Sequence, residues 1–365
     1  MIRILFFLAG SLFSGLEVTG FNPTRKDSNR IYKKKLFAVP TLGSGPETGF
    51  YGGFVGLLDF VPRHDTNARH SVIKTELTYT AKKQFLVNLD WILTDTLKRH
   101  ILIGDNAWMR FPELFWAIGG NTPKSNEVLY DAFRLELNNT WYRRIFPAVY
   151  AGIAQQFQSV YKKRFPGFET ANADVYNQIQ TGKSSGIGFA LLYDTRSNLL
   201  NPRPGEGMVS LQGMHFTEWV GSDFSFETVD IDLRYYLKTG RKNLVAFQTI
   251  GQLRSSSAPY RMLGLLGGPM ILRGYYQGRF RDNNLFAAQT EWRLDLSKWF
   301  GATVFAAFGD VVSFKNPSRN GSLKSAAGLG FRIKVDRTEN TNMRFDFALT
   351  GQKDFGFYVS FGEAF

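Results

Sequence analysis

The stretch Phe357-Tyr358-Val359-Ser360-Phe361-Gly362-Glu363-Ala364-Phe365 decides the fold class. Every second residue is apolar or aromatic except Glu363, and a period of two residues indicates a β-strand. A strand that faces lipid can carry so many aromatic rings, because neighbouring strands satisfy its backbone and the bilayer accepts its apolar face. The stretch therefore predicts a lipid-facing barrel strand with Glu363 near the membrane boundary. A half-buried terminal strand of a soluble sheet is the alternative.

The same alternation continues upstream. In 229–238, for example, five apolar residues alternate with five polar residues, most of them charged. Segments of this kind lie at 35–42, 49–61, 71–82, 84–95, 99–110, 128–140, 145–158, 184–195, 206–219, 226–238, 242–254, 285–296, 300–311, 324–335, 342–351 and 356–365. An even number of strands without a helical period predicts an all-β fold, a closed sixteen-stranded antiparallel transmembrane barrel, since closure removes exposed strand edges.

Composition narrows the possible functions. The 365 residues include no cysteine and four scattered histidines, so we expect no metal site, no cofactor and no enzymatic activity. Aromatic residues make up 15% of the chain although its mean hydropathy is −0.20, which suits strands with one apolar and one polar face. The net charge of +13 lacks the clustering of a nucleic-acid module. We expect the basic residues to lie near anionic lipid or in the lumen instead.

The chain begins with a short basic region and an apolar run, Ile4 to Phe13, that is typical of a secretory signal peptide. We predict a signal peptide at 1–20, a short segment at 21–32 and the barrel at 33–365. A buried N-terminal strand or helix is the alternative for the apolar run. No separate N-terminal domain is expected.

Three connections are long, at 111–127, 159–183 and 255–284, and we expect them on the extracellular side. The longest contains Leu272-Arg273-Gly274-Tyr275-Tyr276 before the twelfth strand. An apolar approach followed by Arg-Gly-Tyr suits a loop that folds back into the lumen. Arg273 would then reach a carboxylate of the wall, and Gly274 would permit a turn that a side chain would obstruct.

Four segments together resemble the BamA/TamA outer-membrane superfamily, also called the bacterial surface antigen family. They are the Arg273-Gly274-Tyr275 loop, Pro46-Glu47-Thr48-Gly49 after the first strand, Asp194-Thr195-Arg196 at a strand end, and Arg344 to Ala348 with the terminal Phe361 to Phe365. Assembly factors of this family carry periplasmic POTRA repeats before the barrel. This sequence resembles the short branch without them.

The resemblance implies that Arg273 pairs with Glu291 in the barrel wall. A second family acid is missing, because Ala307 occupies its place; Asp310 is the nearby substitute. Asp194 and Arg196 form either a lumen-facing pair that fixes a strand end or a functional pair.

The resemblance also implies that the first strand pairs with the last. Pro40 would weaken this seam, since proline donates no ladder bond, or it would lie at a rim where the missing donor costs nothing. Phe357, Phe361 and Phe365 would form the other lip of the seam and the signal by which the barrel is itself inserted.

These observations predict a protein of the bacterial outer membrane that contacts lipid and assists insertion or translocation of protein or lipid. Two alternatives remain: a passive pore for small solutes, and the membrane anchor of an envelope complex. A separate periplasmic or lipoprotein partner would fit the absence of POTRA repeats. No nucleic-acid partner is expected, and the oligomeric state stays open.

Overall fold

The computed structural model describes residues 32–45, 49–62, 71–95, 97, 99–110, 112–167, 172–197, 201–240, 243–336 and 341–365. The predicted signal peptide, nearly all of the segment at 21–32 and three residues of the Pro-Glu-Thr-Gly turn lie outside these ranges.

The described ranges contain sixteen long strands, named β1 to β16 here, which follow one another as an antiparallel meander. Their bounds are β1 Tyr32–Gly45, β2 Gly49–Pro62, β3 Ser71–Thr80, β4 Phe85–Thr94, β5 His100–Arg110, β6 Val128–Phe146, β7 Val149–Arg164, β8 Gly182–Asp194, β9 Gly207–Phe216, β10 Phe226–Lys238, β11 Leu244–Arg254, β12 Asn284–Asp295, β13 Phe300–Val312, β14 Lys324–Asp336, β15 Thr341–Thr350 and β16 Phe355–Phe361. Every predicted segment overlaps one of them. The predicted break between the segments 128–140 and 145–158 is misplaced, because β6 continues to Phe146 and the chain turns at residues 147–148.

Shorter elements fill the connections. The strand Glu113–Phe115 pairs with the start of β6, and Gly264–Leu266 pairs with Phe280–Asp282 inside the longest connection. In the described part of the chain, a short helix, α1, spans Ala173–Asn177, and 3-10 turns lie at Lys124–Asn126, Glu218–Val220 and Pro317–Arg319. None of the helices in the described ranges is long and apolar enough to span a membrane.

The sheet is apolar outside and charged inside. On β10, the side chains of Leu233, Tyr235 and Leu237 point outward and are 40–50% exposed. On the inner face of β15, Arg344 and Asp346 are fully buried. Water-exposed sheets normally place their apolar side chains inside, so this arrangement fits a wall with lipid on its outer face.

The closure that the strand count predicted is not present in the described residues. Backbone ladders join each strand to the next from β1 to β16, but none joins β16 back to β1. The two edges differ in length, since β1 has 14 residues and β16 has 7. Pro40 is exposed on β1 and lies opposite Phe54 of β2, the one strand that pairs with β1 among the described residues.

The last strand ends at Phe361 rather than continuing to Phe365, so the prediction for residues 362–365 is wrong. Gly362 has a φ of 72° and turns the chain inward. Glu363 and Phe365 consequently lie inside, 9% and 3% exposed, instead of following the outward parity of the strand. Phe357 does point outward, with 39% exposure, and the side chain of Phe361 lies outside the described part.

Candidate functional site

The connection between β11 and β12, residues 255–283, packs against the inner wall; we call it the lumen loop. Leu266, Leu272, Tyr275 and Phe280 of the loop form one apolar cluster with wall residues that include Val311. All five side chains are at most 2% exposed. This burial holds the loop on the inner face of β12 and β13.

Arg273 is the polar anchor of the lumen loop. Its Nη2 lies 2.6 Å from Oε1 of Glu291 on β12, and its Nη1 lies 2.6 Å from Oδ2 of Asp346 on β15. The guanidinium also stacks on Phe305, 3.6 Å from the ring centre. Because all three polar side chains are no more than 1% exposed, water competes little for these contacts.

Gly274 and Tyr275 shape the turn behind this anchor. Gly274 has a φ of 110°, a conformation that favours glycine, and a Cβ there would lie 2.7 Å from Thr350 Cγ2. Its backbone N–H donates to the hydroxyl of Tyr358 on β16 at 2.9 Å. Tyr275 is 2% exposed and meets Phe280 edge to face at 5.9 Å. The Arg-Gly-Tyr turn therefore contacts both the ion pairs and the last strand.

Six buried side chains form a closed ring of ion pairs in which positive and negative charges alternate; we call it the charge ring. In order around the ring, its members are Arg273, Asp346, Arg332, Glu363, Arg293 and Glu291, and the last contacts the first. Five of the six contacts measure 2.6–2.8 Å, and the Glu363–Arg293 contact measures 3.9 Å. Arg344 approaches the ring at 3.5 Å from Asp346 and adds a fourth cation to three carboxylates.

Asp310 does not take the place of the missing second acid. Its Oδ1 lies 2.6 Å from Nζ of Lys324. It sits five residues along β13 from Phe305, the residue paired with Glu291, which corresponds to roughly 17 Å of strand. The second carboxylate comes from Asp346. The alternation in the sequence places Asp346 on the inner face, but its contact with Arg273 could not be predicted because the two residues are far apart in the chain.

A second buried cluster joins the lumen loop to the connection at 112–127. Oε1 of Glu113 lies 2.6 Å from Arg134, and Oε2 lies 2.6 Å from Arg261 of the lumen loop. Burial raises the pKa of Glu113, but the two guanidinium groups outweigh this effect and lower the pKa to about 2. Sequence reasoning missed Glu113 because a lone acid in a connection carries no periodic signal.

Asp194 and Arg196 form a local pair at the turn between β8 and β9. The guanidinium of Arg196 binds the carboxylate of Asp194 in bidentate fashion at 2.9 and 3.0 Å. The hydroxyl of Thr195 accepts the backbone N–H of Gly207, across the same turn. These contacts fix the end of the strand and lie outside the charge ring.

The arrangement as a whole suits a clamp that holds the lumen loop against the wall. Within the described ranges, no cluster of three or more His, Asp or Glu side chains could hold a metal ion. The buried carboxylates at Glu291 and Asp346 are engaged by two or more arginines each. These ion pairs bind the lumen loop to the inner wall.

The Omp85 superfamily domain matches residues 73–365 of the sequence. The chain belongs to this superfamily. The match agrees with the resemblance read from the four motifs.

Solved structures of the same superfamily share the fold. BamA from Haemophilus ducreyi lacking POTRA domains 1–3 superposes with a TM-score of 0.59 at 14% identity, covering 91% of this chain and 69% of that one. CdiB from Acinetobacter baumannii superposes with a TM-score of 0.56 at 12% identity, covering 91% of this chain and 60% of that one. No curated protein sequence is significantly similar to the chain.

Proposed function

We propose that this protein is an outer-membrane barrel that assists the insertion or translocation of protein or lipid, through a gap between β1 and β16. The observation that carries the proposal is the missing ladder between these two strands in the described residues of an Omp85 superfamily chain. A strand edge without a partner can accept a strand of another chain, because its N–H and C=O groups are unpaired.

The outer face supports a membrane location. Aromatic and aliphatic side chains such as Phe189, Leu329 and Phe355 are more than 60% exposed on the wall. Exposed apolar area of this extent is unfavourable in water and favourable in a bilayer. We therefore place the wall in lipid, with the bacterial outer membrane as its location.

The lumen loop argues against a passive pore. Its apolar residues and Arg273 are buried on the inner wall, so the interior is occupied on the β12–β15 side. Steady single-channel conductance in planar bilayers tests this point. A large conductance that is equal in the wild-type protein and in Arg273→Ala would favour the pore.

A pair of engineered cysteines tests the proposed gap. Ala38→Cys on β1 combined with Ser360→Cys on β16 can be joined by a reducible thiol-reactive crosslinker, which fastens the two edges. We expect bridging to abolish assisted insertion of a reporter barrel protein into liposomes and reduction to restore it. Unchanged insertion after bridging would refute the gap, and no insertion by the unbridged protein would refute the function itself.

The matched control bridges two strands that already pair. Phe347→Cys and Phe357→Cys face each other across the ladder between β15 and β16. Bridging this pair should leave assisted insertion unchanged, since it fastens strands that are already joined.

We also propose a non-catalytic role and a separate periplasmic or lipoprotein partner. The support for the first is the clamp-like chemistry of the charge ring, whose six members are arginines and carboxylates already engaged with one another. Purification from native membranes would test the partner, and a stoichiometric second chain is the expected result.

A further inference from the structure

Residues Gly362–Phe365, which we call the inner tail, are held on the inner wall much as a bound peptide would be. The carboxylate of Glu363 accepts from Arg332 at 2.8 Å and from the amide of Asn342 at 2.7 Å. The main-chain oxygen of Phe365 accepts from Arg293 at 2.9 Å, and its ring lies 5.1 Å from the same guanidinium. The polar contacts thus fix both the acidic and the aromatic residue.

The apolar residues that pack against the inner tail belong to distant strands. Ala364 and Phe365 pack with Tyr236 of β10 and with Leu244 and Ala246 of β11. Four strands, β12 to β15, separate β11 from β16 in the sheet. The inner tail therefore leaves the wall at β16 and reaches across the interior to another part of the barrel.

The ion pairs that hold the inner tail and those that hold the lumen loop belong to the same network of charged side chains. Arg332 bridges Glu363 and Asp346, and the latter also binds Arg273. On the other side of the charge ring, Arg293 contacts both Glu363 and Glu291. Each of the two acids that hold Arg273 is thus linked to Glu363 through one arginine.

We propose that the inner tail is a removable internal ligand of the barrel, and that its seating controls how firmly Arg273 holds the lumen loop. When Glu363 leaves, Arg332 keeps Asp346 and Arg293 keeps Glu291. These are the same two acids that bind Arg273. Four arginines then share two carboxylates, and repulsion loosens the cation that belongs to the movable loop.

A direct contact adds to the coupling. The hydroxyl of Tyr358 on β16 accepts the backbone N–H of Gly274 at 2.9 Å. A Cβ on Gly356 would lie 2.8 Å from the Cα of Gly274. Displacement of β16, which carries the inner tail, therefore removes a contact of the lumen loop at the same time.

Single cysteines report on the two segments separately, because the chain has no cysteine of its own. Gln277→Cys places the loop probe in the lumen loop just after the turn, and Ala364→Cys places the tail probe in the inner tail. The measured quantity is the rate of maleimide labelling of the folded protein in liposomes. Retained heat-modifiable migration on a gel shows that each variant is folded.

We expect Glu363→Gln and Phe365→Ala each to speed labelling of the loop probe by about fivefold or more, the lower end of typical coupling between sites. Because coupling is reciprocal, Arg273→Lys should speed labelling of the tail probe to a similar extent. Phe365→Ala removes the apolar contacts of the Phe365 ring without changing any charge. It therefore tests release of the inner tail separately from the loss of a negative charge.

Asp295→Asn is the matched control. Its carboxylate pairs with Lys334 at 2.5 Å on the same wall and lies outside the charge ring. This variant should leave both labelling rates within about twofold. Labelling of the loop probe that stays unchanged in both Glu363→Gln and Phe365→Ala would overturn the proposal, and so would an equal increase in Asp295→Asn. Neither readout uses insertion activity, so the outcome is independent of the proposed function.

Discussion

Arg273→Ala removes the polar anchor of the lumen loop, and its effect can be estimated from the structure. The substitution breaks two buried ion pairs of 2.6 Å and the stacking on Phe305 at 3.6 Å. Removing one partner of a buried pair costs about 3–5 kcal/mol, because a charge is left uncompensated. Here the lower end applies, since Glu291 keeps Arg293 at 2.8 Å. We therefore expect a loss of about 3 kcal/mol in loop docking.

A loss of about 3 kcal/mol raises the population of undocked loop roughly 100-fold, at about 1.4 kcal/mol for each factor of ten. Native-state proteolysis follows this population when docking is fast relative to cleavage. Thermolysin cleavage within residues 255–283 should therefore accelerate by about two orders of magnitude. Arg273→Lys should give a smaller increase, because an ammonium keeps the charge but cannot bridge both carboxylates with one planar fork.

Arg234→Ala provides the control for this measurement. Arg234 pairs with Asp232 at 2.5 Å on the same strand, β10, but both side chains are about one fifth exposed. Such a pair contributes about 1 kcal/mol or less, and the ion-pair partner of Arg234 belongs to its own strand rather than to the lumen loop. An increase below about fivefold in Arg273→Ala, or an equal increase in Arg234→Ala, would show that the ion pairs do not hold the loop.

Three further predictions concern the turn, pH and the outer face. Gly274→Ala should weaken loop docking by about 1–3 kcal/mol in the thermolysin assay, since its φ of 110° strains any side chain and the new Cβ meets Thr350; wild-type cleavage rates would contradict this. The pKa of Glu113, about 2, lies below its ordinary value near 4.5, so its contribution to stability is present above pH 4.5 and is lost as the pH falls through 2. Urea unfolding followed from about pH 5 to pH 2 should therefore show a shallower loss of stability in Glu113→Gln, and parallel curves would exclude the effect. Leu233→Arg should lower the stability of the protein folded in liposomes by about 2–4 kcal/mol if this side chain lies near the bilayer midplane, and an unchanged urea midpoint would place it outside the hydrocarbon.

The sixteen strands could be read from the sequence because side-chain alternation is a local property. The segment 226–238 was predicted with the bounds that β10 has in the structure. Errors occurred where a strand continued through residues without clear alternation, as β6 does between Asn138 and Phe146. The Arg273–Glu291 contact was also within reach, because the family resemblance named the pair and the charged face of β12 gave the parity.

The tertiary structure alone decided the rest of the site. Asp346 lies 73 residues from Arg273 in the sequence, and only the curvature of the sheet brings their side chains to 2.6 Å. Asp310 is closer along the chain to the family's acid position but lies too far along β13 to reach Arg273. Contacts across an interior depend on which inner-face residues stand at the same height, which alternation does not specify.

The stretch that determined the fold class also shows the limit of sequence reasoning. Its alternation correctly predicted a strand with Phe357 on the outer face, because the period of two is a property of extended backbone. The positive φ of Gly362 ends that periodicity and turns Glu363 and Phe365 into the charged interior. The φ angle of this one residue thus changes the side of the wall on which the following side chains lie. The sequence by itself therefore determined the sixteen strands. The tertiary structure decided that Glu363 joins the charge ring and that β1 and β16 lack a common ladder in the described residues.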